Sequence, residues 1–203
     1  MSLSCALILL LLATPVWADQ SESAEGNRGL NAQWAGQLIL DIRLTSFPRL
    51  ANTNIRVEPF HGHSDYFQAR FSILHFLFAK RMQYVIRVND DPGIQTVPED
   101  AGRAILAHEL AHVQYYASGS RIHLLGLIRY NSSSYRREFE RRADLEATQL
   151  GYAQGLKNYR LWLYQHVSAK ALLEKKRDYL SPEEIDAAAR ALTNPVCLRV
   201  DER

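Results

Sequence analysis

The sequence predicts an α+β fold in which a small antiparallel sheet packs against a mainly helical half. Short runs rich in β-branched and aromatic residues fill the stretch between residues 54 and 88, and helical periodicity follows from Pro98 onward. The chain has 203 residues, of which 47% are hydrophobic and 23% are charged. These values are typical of one globular domain with a core of its own.

Charge and cysteine content exclude several classes of protein. Lys and Arg number 24 and Asp and Glu number 22, and this net charge of +2 gives no argument for binding nucleic acid or an anionic membrane surface. The chain has two cysteines, which are too few for a disulfide-rich scaffold. After residue 18 no run reaches the roughly 20 apolar residues of a membrane-spanning helix. We therefore expect no nucleic acid partner and no membrane span in the mature chain.

The N-terminus has the pattern of a secretory signal peptide. An unbroken apolar run, ALILLLLA, covers residues 6–13, and Val16 and Ala18 suit the −3 and −1 positions of a cleavage site. We expect residues 1–18 to be removed on export, which makes the mature protein secreted or periplasmic. The alternative is an uncleaved N-terminal anchor, because no Lys or Arg precedes the run.

A flexible polar leader is predicted over residues 19–33, and a single domain over residues 34–203. The first element of the domain is a short helix at residues 34–44, where apolar residues recur at helical spacing. Three candidate strands follow, and the last one stops at a strong turn signal, NDDPG. The strands are expected at residues 54–58, 66–78 and 84–88.

Four helices are predicted for the second half of the chain. Pro98 suits a first helical position, and Gly119 is a plausible end for the helix that it opens. The second helix ends before Gly151, and the third covers about residues 156–173. The last helix opens with a capping box, SPEE, at residues 181–184.

The first of these helices contains an H-E-x-x-H motif, HELAH, at residues 108–112. Residues i and i+4 lie about 40° apart around a helix, so His108 and His112 can bind one Zn²⁺ at about 2.0–2.1 Å. Both histidines fall outside the helix's stripe of core residues, as expected for the wall of a site. Glu109 lies beside them and can act as a general base without binding the metal. The motif also arises by chance, so a helix with two ordinary histidines is the alternative.

A third ligand has to come from elsewhere in the chain. The metzincin pattern requires Gly and His at positions where this chain has Tyr115 and Ser118, which excludes that class. The second helix offers Glu140 and Asp144, which share a face at i and i+4. Glu140 could complete a His₂Glu site with an open fourth position. Asp144 could accept the second N–H of a ligand histidine.

Two other glutamates on the second helix, Glu138 and Glu146, compete with Glu140 as ligands. Neither has an aspartate four residues later, as Glu140 has. Glu140 is therefore the preferred third ligand.

The two motifs together, HELAH followed by E-x-x-A-D, resemble the gluzincin metallopeptidases. They are most similar to the peptidase family of the CAAX prenyl proteases and the HtpX-like heat-shock proteases. The resemblance covers roughly residues 98–151 and includes Arg137, three residues before Glu140. It implies one zinc ion per chain and a zincin-like metallopeptidase domain. The residues that it implies are the ligands His108, His112 and Glu140, the general base Glu109 and a supporting Asp144.

The resemblance also implies that a strand before the motif helix lines the active-site cleft. That strand, at residues 84–88, would pair with an extended peptide substrate through backbone hydrogen bonds. A donor must in addition stabilise the oxyanion that develops during hydrolysis, and the sequence leaves its identity open. The candidates are Arg137, Tyr130, Tyr135, His123 and His166.

These patterns predict an exported zinc metalloendopeptidase that acts on a peptide or protein substrate. Two alternatives stay open: a non-catalytic zinc-containing protein that binds a protein partner, and a zinc amidase that acts on cell-wall peptide. The presence of Glu109 favours an enzyme, because a purely structural zinc site needs no base and closes its fourth position.

Overall fold

The computed structural model describes residues 31–62, 65–119 and 132–193. The predicted signal peptide and all but the last three residues of the predicted leader lie outside these ranges. Helices make up most of the described chain and accompany one three-stranded sheet, so the predicted α+β class is confirmed. No helix in the described ranges is both long and apolar enough to cross a membrane.

The described ranges contain seven α-helices and three β-strands. The helices are α1 (Ala32–Ser46), α2 (Ile73–Phe78), α3 (Glu99–Ser118), α4 (Ser133–Ala147), α5 (Ala153–His166), α6 (Ala169–Asp178) and α7 (Pro182–Thr193). The strands are β1 (Ile55–Phe60), β2 (Phe67–Phe71) and β3 (Tyr84–Asn89). Short 3₁₀ turns at Pro48–Leu50 and Pro92–Thr96 precede β1 and α3.

The central strand of the sheet is β3, which lies between β1 and β2. It runs antiparallel to β2, with Val88 opposite Phe67, and parallel to β1, with Tyr84 opposite Ile55. The sheet is therefore mixed, and the prediction of an antiparallel sheet is wrong. The chain leaves β1, forms β2 and α2, and only then inserts β3. This long connection allows β1 and β3 to run in the same direction.

The strand predicted at residues 66–78 is two elements, β2 and α2. The β2–β3 ladder ends where the backbone N–H of Ser72 donates to the Gln83 carbonyl. The Ser72 side chain then accepts a hydrogen bond from the backbone N–H of His75 and caps α2. Periodicity alone cannot separate strand from helix in a short apolar run, so the composition of this segment was misleading.

Two further boundaries differ from the prediction because of side-chain caps. The Asn31 side chain accepts a hydrogen bond from the Trp34 backbone N–H, so α1 begins at Ala32, two residues before the predicted helix. The helix predicted at residues 156–173 is two helices, α5 and α6. The side chain of Ser168 caps the second of them.

Two other predicted helix boundaries are confirmed, and a third differs by three residues. Helix α3 ends immediately before Gly119. Helix α4 ends at Ala147, three residues before the predicted end, and the π turn Thr148–Tyr152 that follows contains Gly151, whose φ of 93° lies in the left-handed region that favours glycine. In the capping box of α7, the backbone N–H of Ser181 donates to the Glu184 carboxylate, and the backbone N–H of Glu184 donates to the Ser181 hydroxyl.

Helix α3 lies at the centre of the molecule and carries the H-E-x-x-H motif. It packs against β2 and also against α1, α4 and α5. The approach to α5 is close at Gly155, where an added Cβ would lie 2.3 Å from the Asp100 carbonyl oxygen. The two helices can approach this closely because position 155 has no side chain.

Candidate metal centre

The two motif histidines lie in the interior of the protein, with exposed fractions of 1% for His108 and 5% for His112. The sequence predicted that they would form the wall of a site outside the core stripe. His112 does line the cavity described below, and α3 is in addition buried on most of its surface, because β2 and three helices surround it. The imidazoles therefore lie where an unsatisfied polar group would cost free energy.

Three potential ligand atoms converge at this point. Nε2 of His108 lies 3.1 Å from Nε2 of His112. Oε2 of Glu140, from α4, lies 3.2 Å from the first nitrogen and 3.0 Å from the second. All three side chains are buried. Within residues 31–62, 65–119 and 132–193, these residues form the only group of three His, Cys, Asp or Glu side chains that could hold a metal ion.

The separations and the donor types fit a zinc ion. Ligand atoms about 2.0–2.1 Å from a tetrahedral ion lie about 3.3 Å from one another. The three separations here are 3.0–3.2 Å. Two imidazole nitrogens and one carboxylate oxygen are also a ligand set that zinc accepts, with a fourth position left for another ligand.

Asp144, one turn after Glu140 on α4, lies behind His108. Its Oδ1 atom is 2.8 Å from Nδ1 of His108 and accepts a hydrogen bond of 2.6 Å from Nη2 of Arg160. Its Oδ2 atom accepts a hydrogen bond of 2.8 Å from the Leu180 backbone N–H. Burial by itself raises the pKa of Asp144, but Arg160 and His108 outweigh burial and lower it. A charged acceptor on Nδ1 leaves Nε2 of His108 to face the ligand cluster.

The carboxylates also shift the pKa of the histidine. Burial by itself lowers the pKa of His108, but Asp144, Glu140 and Glu109 outweigh burial and raise that pKa to about 10. Burial by itself raises the pKa of Glu140, but His112 and His108 hold it well below its ordinary value. The raised pKa favours the protonated form of His108, and a metal ion bound at this cluster would have to displace that proton.

Glu109 lies beside the cluster but is not one of the three converging residues. Its carboxylate accepts a hydrogen bond from the backbone N–H of Ala69 on β2. Burial raises the pKa of Glu109, against the opposing effect of His108 and His112. A buried carboxylate with a raised pKa, held next to a metal site without binding the metal, has the properties of a general base.

A cavity of about 440 Å³ opens beside the cluster, and Glu109, His112 and Glu140 contribute to its lining. Strand β2 forms part of its wall, together with aromatic side chains that include Tyr116 and Tyr179. Reactive groups therefore lie at the surface of a space that can receive a ligand.

The strand that borders the cavity is β2, an edge strand. The resemblance to the peptidase family implied that residues 84–88 would occupy this place. Those residues belong to β3, which has a neighbouring strand on both edges and no free edge for a peptide. The predicted pairing of residues 84–88 with substrate is therefore wrong, because strand order in a sheet does not follow order in the chain.

The free edge of β2 presents backbone groups from alternate residues. The backbone N–H of Asn89 donates to the Tyr66 carbonyl, which makes this a hydrogen-bonded pair. Hydrogen-bonded pairs alternate in an antiparallel ladder, so the even-numbered residues of β2 direct their backbone groups towards β3. The contact between Ala69 and Glu109 agrees with this pattern. Among the described residues no strand pairs with this edge, to which Phe67, Ala69 and Phe71 direct their backbone groups, and those of Ala69 already contact Glu109 and Tyr116.

Aromatic rings fix the position of His112. The Phe139 ring stacks on its imidazole at a centroid distance of 4.3 Å, and the Tyr116 ring lies parallel to it at 6.4 Å. The Tyr116 hydroxyl donates a hydrogen bond of 3.5 Å to the Ala69 carbonyl. Burial, and then the negative charge of Glu140, raise the pKa of Tyr116. The phenol therefore remains protonated and can act as a hydrogen-bond donor next to the cavity.

Sequence reasoning missed Arg160, Tyr116 and Tyr179. Tyr116 comes four residues after His112, so its helical spacing could have identified it. Arg160 lies on α5, and its guanidinium carbon is 4.4 Å from the centre of the Tyr179 ring. No spacing in the sequence connects these two residues with α3, and only the fold brings them beside His108.

The five candidates for the oxyanion donor are not among the described residues that line the cavity. His123 and Tyr130 lie outside the described residues. Arg137 is exposed on α4, and Tyr135 stacks on the Phe139 ring. His166 stacks on the Trp162 ring at 4.3 Å, and its Nδ1 atom lies 2.8 Å from the Trp162 carbonyl oxygen.

The two competing glutamates also lie outside the ligand cluster. Glu138 is exposed, and Glu146 accepts a hydrogen bond of 2.5 Å from the Gln114 side chain. The helix therefore turns Glu140, and neither of the other two, towards the motif histidines.

Comparison with protein-family models, with curated proteins and with solved structures finds no match to this chain.

Proposed function

We propose that this protein is an exported zinc metallopeptidase that binds one zinc ion through His108, His112 and Glu140. The observation that carries the proposal is the convergence of two Nε2 atoms and one carboxylate oxygen within 3.0–3.2 Å of one another. Three protein ligands with an open fourth position are typical of catalytic zinc sites, whereas structural sites are closed by four.

The position of Glu109 supports an enzyme over a zinc-binding protein without activity. Its carboxylate contributes to the lining of the same cavity as His112 and Glu140, and it is held by the Ala69 backbone N–H. When bound, zinc would polarise a substrate carbonyl and lower the pKa of a water molecule. Glu109 would accept the proton from that water and deliver it to the leaving amine.

Asp144 and Arg160 would fix the orientation of His108 once a metal has displaced the proton from Nε2. The Oδ1 atom of Asp144 lies 2.8 Å from Nδ1 of the imidazole, so a proton held on Nδ1 would leave the lone pair of Nε2 to the metal. Arg160 compensates the buried charge of Asp144 with a hydrogen bond of 2.6 Å. Both residues therefore act through His108 and have no contact with substrate in this proposal.

The free edge of β2 supports a peptide as the substrate class. An extended peptide can add to an exposed strand edge through backbone hydrogen bonds that are independent of its sequence. Phe67 and Phe71 also direct backbone groups to this edge, on either side of Ala69, whose groups already contact Glu109 and Tyr116. A peptide paired with Phe67 and Phe71 would lie along the cavity wall that Glu109, His112 and Glu140 also line.

The proposal is tested by metal analysis and a hydrolysis assay on the full chain. We expect about one zinc per chain, and cleavage of an unstructured protein such as casein that stops when a chelator removes the metal and returns when zinc is added. Zinc without cleavage of any protein or peptide tested would contradict the enzymatic proposal and favour the non-catalytic binding protein. A folded chain that binds no zinc at neutral pH would contradict the metal site itself.

A further inference from the structure

Helix α2 carries four large apolar side chains on the surface. Their exposed fractions are 68% for Ile73, 71% for Leu74, 57% for Leu77 and 82% for Phe78. We call these four residues the α2 patch. Single exposed apolar residues are ordinary, but four on one six-residue helix form a contiguous surface that is typical of an interaction site.

The geometry of α2 explains why these residues remain outside. Phe76 is the side chain that α2 directs inward, where its ring lies 5.7 Å from that of Phe71. Ile73 and Leu77 are four residues apart, as are Leu74 and Phe78, so both pairs lie along the outer side of the helix. Phe76 packs partly buried against the core, and the four residues of the patch are exposed on the outer side of the helix.

The chain segments on either side of α2 are positively charged, whereas the acidic residues Asp65, Glu109 and Glu140 line the cavity next to Ile73. Arg70, Lys80 and Arg81, on either side of α2 in the chain, are exposed. No Asp or Glu occurs between residues 66 and 89. The small net charge of the whole chain conceals this asymmetry, because the acidic residues that balance these cations lie in other segments.

We propose that the α2 patch docks on an anionic lipid bilayer. Exposed aliphatic and aromatic side chains would enter the headgroup and acyl boundary, and the flanking cations would contact the phosphate groups. Apolar contact and attraction to anionic lipid reinforce each other in this mode of binding. The helix lies at the interface and does not span the bilayer.

Charge complementarity favours a lipid surface over a second copy of the chain. A symmetric dimer through the patch would bring the cationic segments of both copies into one interface. Like charges placed against each other at an interface oppose association. An anionic bilayer instead attracts the exposed cations of these segments.

The patch adjoins the cavity described above. Ile73 contributes both to the patch and to the cavity lining. Docking would therefore bring the cavity close to the membrane surface. Membrane docking itself does not depend on zinc or on hydrolysis. Only the consequence that substrate is taken near the membrane rests on the proposed function.

The first test is amide hydrogen exchange of the full chain with and without vesicles. We expect anionic vesicles of phosphatidylcholine and phosphatidylglycerol to slow exchange in residues 72–81 about fivefold or more, because bilayer contact restrains local opening. Vesicles of phosphatidylcholine alone should leave this segment unchanged. Helix α6 is an internal reference whose exchange should stay the same. This readout is local, so binding through the apolar N-terminal run cannot imitate it.

The second test is co-sedimentation with the same vesicles. Compared with the unchanged full chain, L74S/F78S and K80E/R81E should each lower the charge-dependent binding about tenfold, the first by removing apolar contact and the second by removing attraction. The matched control is K170E/L173S, which changes one exposed cation and one exposed leucine on α6. We expect the control to bind like the unchanged chain. Circular dichroism checks that each variant is folded.

Three results would overturn the proposal. Exchange in residues 72–81 that is unaffected by anionic vesicles would show that the patch does not contact lipid. Protection of the segment that rises with protein concentration in the absence of vesicles would assign the patch to a second copy. Equal vesicle binding by all three variants would assign membrane contact to another part of the chain. E109Q should dock like the unchanged chain, which separates this outcome from failure of the proposed hydrolysis.

Discussion

Nδ1 of His108 lies 2.8 Å from Oδ1 of Asp144, and both side chains are buried. This contact joins α3 to α4 behind the proposed metal ligands. Asp144 also accepts a hydrogen bond from Arg160 on α5, so three helices meet at one carboxylate. A chain of buried charges at such a junction determines both the orientation of His108 and the stability of the fold around it.

Removing Arg160 should destabilise the protein, because the buried Asp144 carboxylate would lose its positive partner. Removing one partner of a buried ion pair lowers the free energy of unfolding by about 3–5 kcal/mol. We therefore expect R160M to lower the urea concentration at the midpoint of unfolding. The dependence of the unfolding free energy on urea concentration should stay the same, so the shift in midpoint reports the loss of stability. The control is R137M, which changes an exposed arginine on α4 and should leave the midpoint within error. Equal midpoints for the two variants would show that Arg160 does not stabilise Asp144.

Glu109 is expected to be essential for hydrolysis but not for metal binding. The substitution E109Q keeps the size of the side chain and removes its ability to accept a proton. We expect the zinc content to remain and the rate of hydrolysis to fall about 10²–10⁴-fold, the usual contribution of a general base. E138Q makes the same change at an exposed glutamate and should retain activity. Substantial cleavage by E109Q would refute the proposed role of this residue.

Glu140 is expected to be a zinc ligand, so its removal should weaken metal binding directly. Loss of a residue that only supports a ligand costs about 10–100-fold in metal affinity. E140A should exceed that range, because it removes a ligand atom. E138A and E146A are the matched controls, since both glutamates lie on the same helix outside the cluster. An affinity for zinc in E140A equal to that in the controls would transfer the ligand role to another residue.

The metal-free protein should lose stability as the pH rises above neutrality. Asp144, Glu140 and Glu109 outweigh burial and raise the pKa of His108 from 6.5 to about 10. The folded state therefore binds a proton more tightly than the unfolded state does. This contribution is fully present below about pH 6.5 and is lost as the pH rises through about 10.

The measurement is urea unfolding of chelator-treated protein across that pH range, for the unchanged chain and for H108Q. Other groups titrate near pH 10, so the difference between the two curves isolates His108. We expect the unchanged chain to lose more stability than the variant between pH 6.5 and pH 10. Parallel curves would mean that His108 is not protonated in the folded metal-free state.

Gly155 should be intolerant of a side chain. An added Cβ would lie 2.3 Å from the Asp100 carbonyl oxygen and 2.9 Å from the Ala104 side chain. G155A should force α5 away from α3 and lower the free energy of unfolding by about 1–3 kcal/mol. The control is G36A on α1, where an added Cβ meets no atom within 4 Å, and which should leave stability unchanged or raise it by up to about 1 kcal/mol. Equal stability of the two variants would show that α3 and α5 can separate without cost.

Local patterns were sufficient to predict the α+β class, most helices and the side chains on each helix that could act as ligands. His108 and His112 share a face because they are one turn apart, and Glu140 and Asp144 share a face for the same reason. These relations depend only on the geometry of a single helix, so they can be predicted from the spacing of the residues in the sequence. The capping box at Ser181 could be predicted for the same reason, because its hydrogen bonds join residues within one four-residue segment.

The tertiary structure alone decided which strand borders the cavity and what supports the cluster. Strand β3 is the last of the three strands in the sequence, but it lies at the centre of the sheet. Strand β2 is therefore the edge strand beside Glu109. Arg160 reaches Asp144 across 16 positions of the sequence. Strand order and ion pairs between helices depend on the packing of segments that are distant in the chain. No periodicity relates such segments, and so the sequence by itself could not specify these contacts.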